Sequence, residues 1–332
     1  MSHTGDTAMT TVLMENLTSA EHAVRGDNPP QRILKDISLK MTAGEVWSVS
    51  APKAFEIRLL LEIMGNIRPY ESGRCVLVER GMIRRKRRLL RHVFYVGATD
   101  MFYGTMTALE HLMLFFPHAP TALGRLNAQA CLLEELLAHE LGHIALTRID
   151  RLASADKIAL ALFAATMSDS ALVIVNLPEI PPEDRLLPAF SALSRTLRKG
   201  GKTLVLGTRD PNLIDAACTH SAFLAGGKIL YQGKTETLLN TLDPVLLTLR
   251  GTGLDALEAR LSPLPPGYSF QRAEDTLHIL CRPPEKGDLE MLYKMIAETG
   301  IVPTAVEVHR KNAANAFKEL LKQHDLQDDL LP

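Results

Sequence analysis

Short apolar runs alternate with stretches of helical spacing along this chain. Residues 46–49 (Val46, Trp47, Ser48, Val49) predict a short strand entering a tight loop, after which Leu59, Leu60, Ile63 and Met64 recur as one buried helical face. Residues 172–175 and 203–206 are further strands of the wholly buried kind found inside parallel sheets, with an amphipathic helix at 186–198. Weaker alternation predicts an edge strand at 12–17 and strands at 33–41, 74–78 and 93–96. Helical spacing predicts helices at 107–116, capped by Thr107, at 126–146 and at 156–167. Alternating buried strands and helices predict an α/β fold with a mainly parallel sheet.

From residue 245 the pattern shifts to strands at 245–250, 268–271, 276–281 and 302–308, interleaved with helices at 254–261, 288–299 and 313–324. That βαββαβ order predicts a small α+β domain of ferredoxin-like type. The expected organisation is a flexible terminus at 1–10, a first domain at 11–240, a second at 241–326 and a loose tail at 327–332.

Of the 332 residues 46% are hydrophobic and 23% charged, which suits a globular protein with a sizeable core. A net charge of -1 gives no global electrostatic case for nucleic acid or membrane, and no specific nucleic acid partner is expected. The one strong charge run is Arg84, Arg85, Lys86, Arg87 and Arg88, extended by Arg91 and His92. It reads as a solvated face or as a patch for anionic lipid headgroups or nucleic acid phosphates; no aromatic residues interleave with it, which weakens a single-strand nucleic acid role. Cys75, Cys131, Cys218 and Cys281 lack CxxC spacing and read as reduced structural thiols of a cytoplasmic protein. The start of the chain is polar, with no signal peptide, and the longest apolar stretch, 158–167, is too short to span a bilayer.

Two stretches carry candidate chemistry. Strand, loop and helix over 45–65 form the frame of a phosphate-binding loop, with Ser50, Lys53, Glu56 and Arg58 as its polar residues. The loop has no glycine between Ser50 and Arg58, and Glu56 stands where the frame wants lysine. His139, Glu140 and His143 match HExxH, which on one helical face would bind zinc with the glutamate as general base. No ligand follows at the offsets 146 and 149, occupied by Leu146 and Ile149, so a zinc metalloprotease is the minor alternative and no metal is expected.

The order of segments over about 12–239 resembles the ATPase subunit of an ABC transporter. The resemblance rests on framework segments: 33–39 before the loop, 65–69 with Ser72 and Gly73 after it, 106–112, 171–175, 200–206 and 226–233. It implies a P-loop NTPase-like cassette with a helical subdomain, followed by a small domain like that of some drug-export and gliding-type cassettes. It places the Walker A lysine at Glu56, the magnesium-binding hydroxyl at Ile57, the metal-sensing glutamine near Ala98 and the end of Walker B at Asn176 and Leu177. The switch histidine falls on Arg209, and the signature loop on Ala153, Ser154, Ala155 and Asp156. A carboxylate about 4 Å from a phosphate oxygen repels it by roughly 4 kcal/mol near a surface.

These departures lead to the expectation of a pseudo-ATPase: no enzyme, no cofactor, and a non-catalytic subunit scaffolding or regulating a permease or an intact ATPase partner. The alternative is an ATP-binding protein of a transporter with residual ATP and magnesium binding or weak hydrolysis. Implied partners are a membrane permease and a second cassette, in a homo- or heterodimer, with anionic lipid near the basic run. The implied location is cytoplasmic, peripheral to the inner membrane through a partner.

Overall fold

A computed structural model describes residues 9–22, 31–78, 80–81, 92–97, 102–115, 124–176, 178–179, 186–242, 245–273, 275–281, 288–309 and 311–326. The basic run Arg84 to Arg88, the positions Ala98 and Leu177, and the tail at 327–332 lie outside the described residues. The chain divides into two compact units, Met1–Glu236 with Leu320–Pro332, and Thr237–Glu319.

The first unit opens with β1 (Thr10–Ser19), the short pair β2 (Glu21–His22) and β3 (Gln31–Arg32), and β4 (Ile37–Thr42). Next come β5 (Val46–Ser50), α1 (Ala54–Met64), β6 (Tyr70–Leu77), β7 (Arg80–Gly81) and β8 (Val93–Val96). Helices α2 (Ala108–Phe115), α3 (Gly124–Ala138) and α4 (Ser154–Met167) precede β9 (Leu172–Asn176). After α5 (Leu186–Lys199) come β10 (Thr203–Gly207), α6 (Pro211–Ala217), β11 (His220–Ala225) and β12 (Lys228–Lys234). The helix α7 (Thr235–Asn240) begins at the end of this unit.

The central sheet has the order β12-β11-β5-β10-β9-β8, parallel from β11 to β8 with β12 antiparallel at one edge. Every residue of β5, β9 and β10 is buried, as expected for strands covered on both faces. The buried hydroxyls are paired: Ser48 Oγ donates to Ser221 Oγ at 2.9 Å, and Ser221 Oγ and Thr235 Oγ1 are 2.8 Å apart. A second sheet, β4-β1-β6-β7, shares a core with α1 through Val12, Met14, Leu17, Leu39, Leu60 and Ile63.

Three expectations are corrected. β1 is an interior strand between β4 and β6, not an edge; its alternation is weak because the chain bulges between Met14 and Leu17, with Asn16 at φ 47°, which breaks the period of two. β4 begins at Ile37, not at 33, because Asp36 takes φ 55° and interrupts the extended chain. Residues ahead of it are held otherwise: the Ile33 and Leu34 amides donate to Ser19 Oγ, and the Lys35 amide donates to Gly227 O at 2.8 Å. Helix α3 stops at Ala138, well short of 146: Glu140 adopts φ 61°, and a 3-10 turn follows at Gly142–Ile144. At α2 the capping expectation holds in reciprocal form. The Glu110 amide donates to Thr107 Oγ1 at 3.2 Å, and the Thr107 amide donates to Glu110 Oε2 at 2.8 Å.

At the entry to β5, Glu45 Oε2 accepts from the Thr42 amide at 2.8 Å and from Trp47 Nε1 at 2.7 Å, and Glu45 Oε1 lies 3.6 Å from His220 Nε2. The His220 ring stacks on Trp47 with centroids 4.9 Å apart. Burial raises the Glu45 carboxyl, but its hydrogen bonds outweigh that and hold it below the ordinary range; burial lowers the His220 imidazole despite the attraction of Glu45. Both shifts act in the same direction. A depressed histidine favours the neutral folded form, so its contribution is full above about pH 6.5 and declines as pH falls below that. The depressed carboxylate adds a second decline below about pH 4.3. The melting temperature of the first unit should therefore fall on acidification from pH 7.5, and His220→Phe, which keeps a ring on Trp47, should flatten the fall between about pH 6.5 and 5. A wild-type profile level over that interval would refute this.

The second unit contains β13 (Val245–Arg250), α8 (Leu254–Leu261), β14 (Tyr268–Ala273), β15 (Thr276–Cys281), α9 (Leu289–Glu298) and β16 (Ala305–Val308). Its sheet is antiparallel throughout, in the order β14-β15-β13-β16. One face meets both helices in a core of Leu247, Leu249, Leu257, Leu277, Ile279 and Leu292. A last helix, α10 (Ala313–Gln323), crosses the division at Leu320.

Candidate functional site

The loop after β5 leaves the carboxyl edge of the parallel sheet with β10 and β11 on either side, where open α/β sheets place their ligand crevices. Ser50, 2% exposed, fixes the start of the loop: its Oγ donates to Thr208 O, just past β10, at 2.6 Å. Lys53 is exposed at the N-cap of α1 and makes no side-chain cap, so the helix presents its first amides and the positive end of its dipole, with a cation beside them. Such an end attracts anions. Ile57 is fully buried in the core, and Glu56 is 3% exposed within the first turn.

Asn176 closes β9 and is 3% exposed. Its Nδ2 donates to Arg58 O at 3.1 Å and to the Tyr95 hydroxyl at 2.7 Å. The Tyr95 ring is seated between two glycines: a Cβ on Gly65 would come within 2.7 Å of it, and one on Gly97 within 2.3 Å. Burial pushes the Tyr95 phenol up. The Arg58 guanidinium pairs with the Glu179 carboxylate. The fold thus brings Ser50, Lys53, Glu56, Arg58 and Asn176 to one edge of the sheet. Tyr95, Thr208 and the pairing role of Glu179 were missed from sequence. Gly97 directly after an apolar strand was the available signal for Tyr95.

The remaining positions lie elsewhere. Arg209 is the exception: it is exposed and directly follows Thr208 at the loop, beside Asp210, which accepts the Asn212 amide at 2.9 Å as the N-cap of α6. Ala153 occupies the N-cap of α4, with Ser154, Ala155 and Asp156 in its first turn; Asp156 Oδ1 is 3.5 Å from His143 Nε2. His139 and His143 do not share a helical face, because α3 ends before them; His139 lies edge-on to Phe163 with ring centroids 5.6 Å apart. Among the described residues, no three His, Cys, Asp or Glu side chains gather in a way that could hold a metal ion. For the magnesium implied by the resemblance, the hydroxyl position is apolar Ile57 and the carboxylate position is Asn176. That donor set does not fit the ion.

No protein-family model matches the chain. A dimeric ATP-binding cassette in a post-hydrolysis state, bound to ADP and Pi, superposes with a TM-score of 0.56 at 19% identity, covering 67% of this chain and 98% of that one. The fold is that of an ATP-binding cassette. Two proteins are similar at distant identity. The methionine import ATP-binding protein of Latilactobacillus sakei is 21% identical over 213 residues, 63% of this chain and 61% of that protein. The lipoprotein-releasing system ATP-binding protein of Bacteroides fragilis is 25% identical over 194 residues, 55% of this chain and 86% of that protein. The match therefore spans less than two thirds of the methionine import protein. These findings correct the expectation that the chain is no enzyme: both relatives are ATP-binding proteins, and the cassette of the same fold was captured with the products of hydrolysis.

Proposed function

We propose that this chain is the ATP-binding subunit of a membrane transport complex. The observation that carries the reading is the β5–α1 connection: an uncapped helix start, with Lys53 at its N-cap and Arg58 in its second turn, set at the carboxyl edge of a parallel sheet of cassette fold. Helix amides and the cations of Lys53 and Arg58 suit the phosphates of a nucleotide and offset the Glu56 carboxylate in the first turn. The cassette is assigned to 11–240 and the accessory domain to 241–326. The βαββαβ order and the strand order β14-β15-β13-β16 support a ferredoxin-like type for the latter.

The partners in this reading are a membrane permease and a second cassette, as a homo- or heterodimer, at the cytoplasmic face of the membrane. The run Arg84 to Arg88 supplies local contact with anionic lipid. Among the described residues no helix is long and apolar enough to cross a membrane, so attachment through a partner fits the chain.

Isothermal titration of the full chain with ATP, with phosphate release followed in parallel, tests the reading. Saturable binding is expected, and Lys53→Glu should weaken it about tenfold by replacing attraction with repulsion at the helix start. Absence of saturable ATP binding at millimolar concentration would overturn it.

A further inference from the structure

The segments that flank the loop are tied by one ion pair whose place is unusual. Arg58 belongs to α1, and Glu179 follows the end of β9, so the pair bridges the edge of the crevice. Both side chains are exposed, at 43% and 59%. The backbone of Arg58, by contrast, is pinned: its carbonyl accepts from Asn176 Nδ2 at 3.1 Å, inside a helix whose next residues are core. A long side chain on a fixed base can change partners without moving the fold. An exposed pair contributes little, because solvent screens it and ordering two long side chains opposes it.

A second observation lies at the same place. Asn176 Oδ1 is buried and has no hydrogen-bond partner among the described residues. Asn176 is thus held through its Nδ2 alone, at the Arg58 carbonyl and the Tyr95 hydroxyl. We infer that Glu179 is an internal counter-ion that holds Arg58 until nucleotide phosphate displaces it, and that Arg58 then supplies the charge that Glu56 does not. This rests on reading the loop as a nucleotide phosphate site. A guanidinium fork matches phosphate oxygens in two-point contact, and a polyphosphate carries more charge than one carboxylate, so the exchange favours nucleotide. Glu179 then sets affinity as a competitor, with the ligand class being nucleoside polyphosphates.

Calorimetric titration of the full chain with ATP and with adenosine, which lacks phosphate, tests this on Glu179→Gln, Arg58→Gln and the double variant, with far-UV circular dichroism confirming the fold of each. Glu179→Gln should bind ATP about two- to fivefold tighter than wild type, the most that an exposed pair can withhold, and Arg58→Gln about tenfold weaker. The double variant should match Arg58→Gln alone, because unmasking has no effect without the cation. Adenosine affinity should be the same in all four proteins. If wild type binds ATP and Glu179→Gln binds it no tighter, the counter-ion role is overturned while the ATP-binding reading stands. The same holds if Glu179→Gln tightens binding equally in the Arg58→Gln background, since Glu179 would then act by simple repulsion. If no variant binds ATP, both readings fall together.

Discussion

Gly227→Ala should lower the stability of the first unit by about 4 kcal/mol, more than most single substitutions do. For a unit of this size that corresponds to a fall in melting temperature of roughly 8–16 °C. Gly226 and Gly227 form the turn between β11 and β12 with φ 57° and 78°, a conformation that side chains disfavour by about 1–2 kcal/mol per residue. At Gly227 strain is only part of the effect. A Cβ there would lie 1.9 Å from Ile33 O, a backbone atom. That backbone cannot withdraw, because the Lys35 amide donates to Gly227 O at 2.8 Å and Leu34 is fully buried beneath it. Gly226→Ala is the control: its Cβ would meet nothing within 4 Å, so only the conformational part applies. Trp47 is the single tryptophan of the chain and lies in β5, so its emission reports melting of the first unit alone. Equal melting of the two variants would show that the hairpin does not dock on the segment before β4.

Phe163→Ala should cost about 3–5 kcal/mol, the range for removing a buried ring. Phe163 is 0% exposed in the middle of α4, a helix buried along most of its length. The ring contact with His139 is a smaller term, so His139→Ala should cost about 1 kcal/mol. The comparison, by thermal unfolding monitored at Trp47, also bears on HExxH. A loss at His139 as large as that at Phe163, appearing only with zinc present, would mean that the imidazole holds a metal and not merely a ring edge.

The candidate site was legible to different degrees in its different parts. Its frame was visible because the chain declares it locally: a short apolar strand over 46–49, then apolar residues at helical spacing. Lys53 and Arg58 were visible because they fall in that frame. What each side chain does was not visible. Asn176 donates to the carbonyl of Arg58, a residue 118 positions earlier, and that meeting depends on β10 separating β5 from β9. Glu179 falls outside the loop frame, and only the fold brings its charge to Arg58. HExxH, the minor alternative, has no shared helical face here, because a four-residue spacing implies one only while the helix continues and the turn at Glu140 ends it first.

The amino-acid sequence by itself determined the succession of strands and helices, the buried character of the parallel strands and the change of pattern at residue 245. Each of these follows from periodicity within a few residues, which the chain carries whatever it later packs against. Only the tertiary structure decided that β1 lies inside its sheet, that α3 stops at Ala138 and that Arg58, Asn176, Tyr95 and Glu179 share one edge. Those depend on strand order, on bulges and left-handed residues that interrupt periodicity, and on contacts between residues far apart in the chain, none of which a local pattern of apolar and polar positions contains.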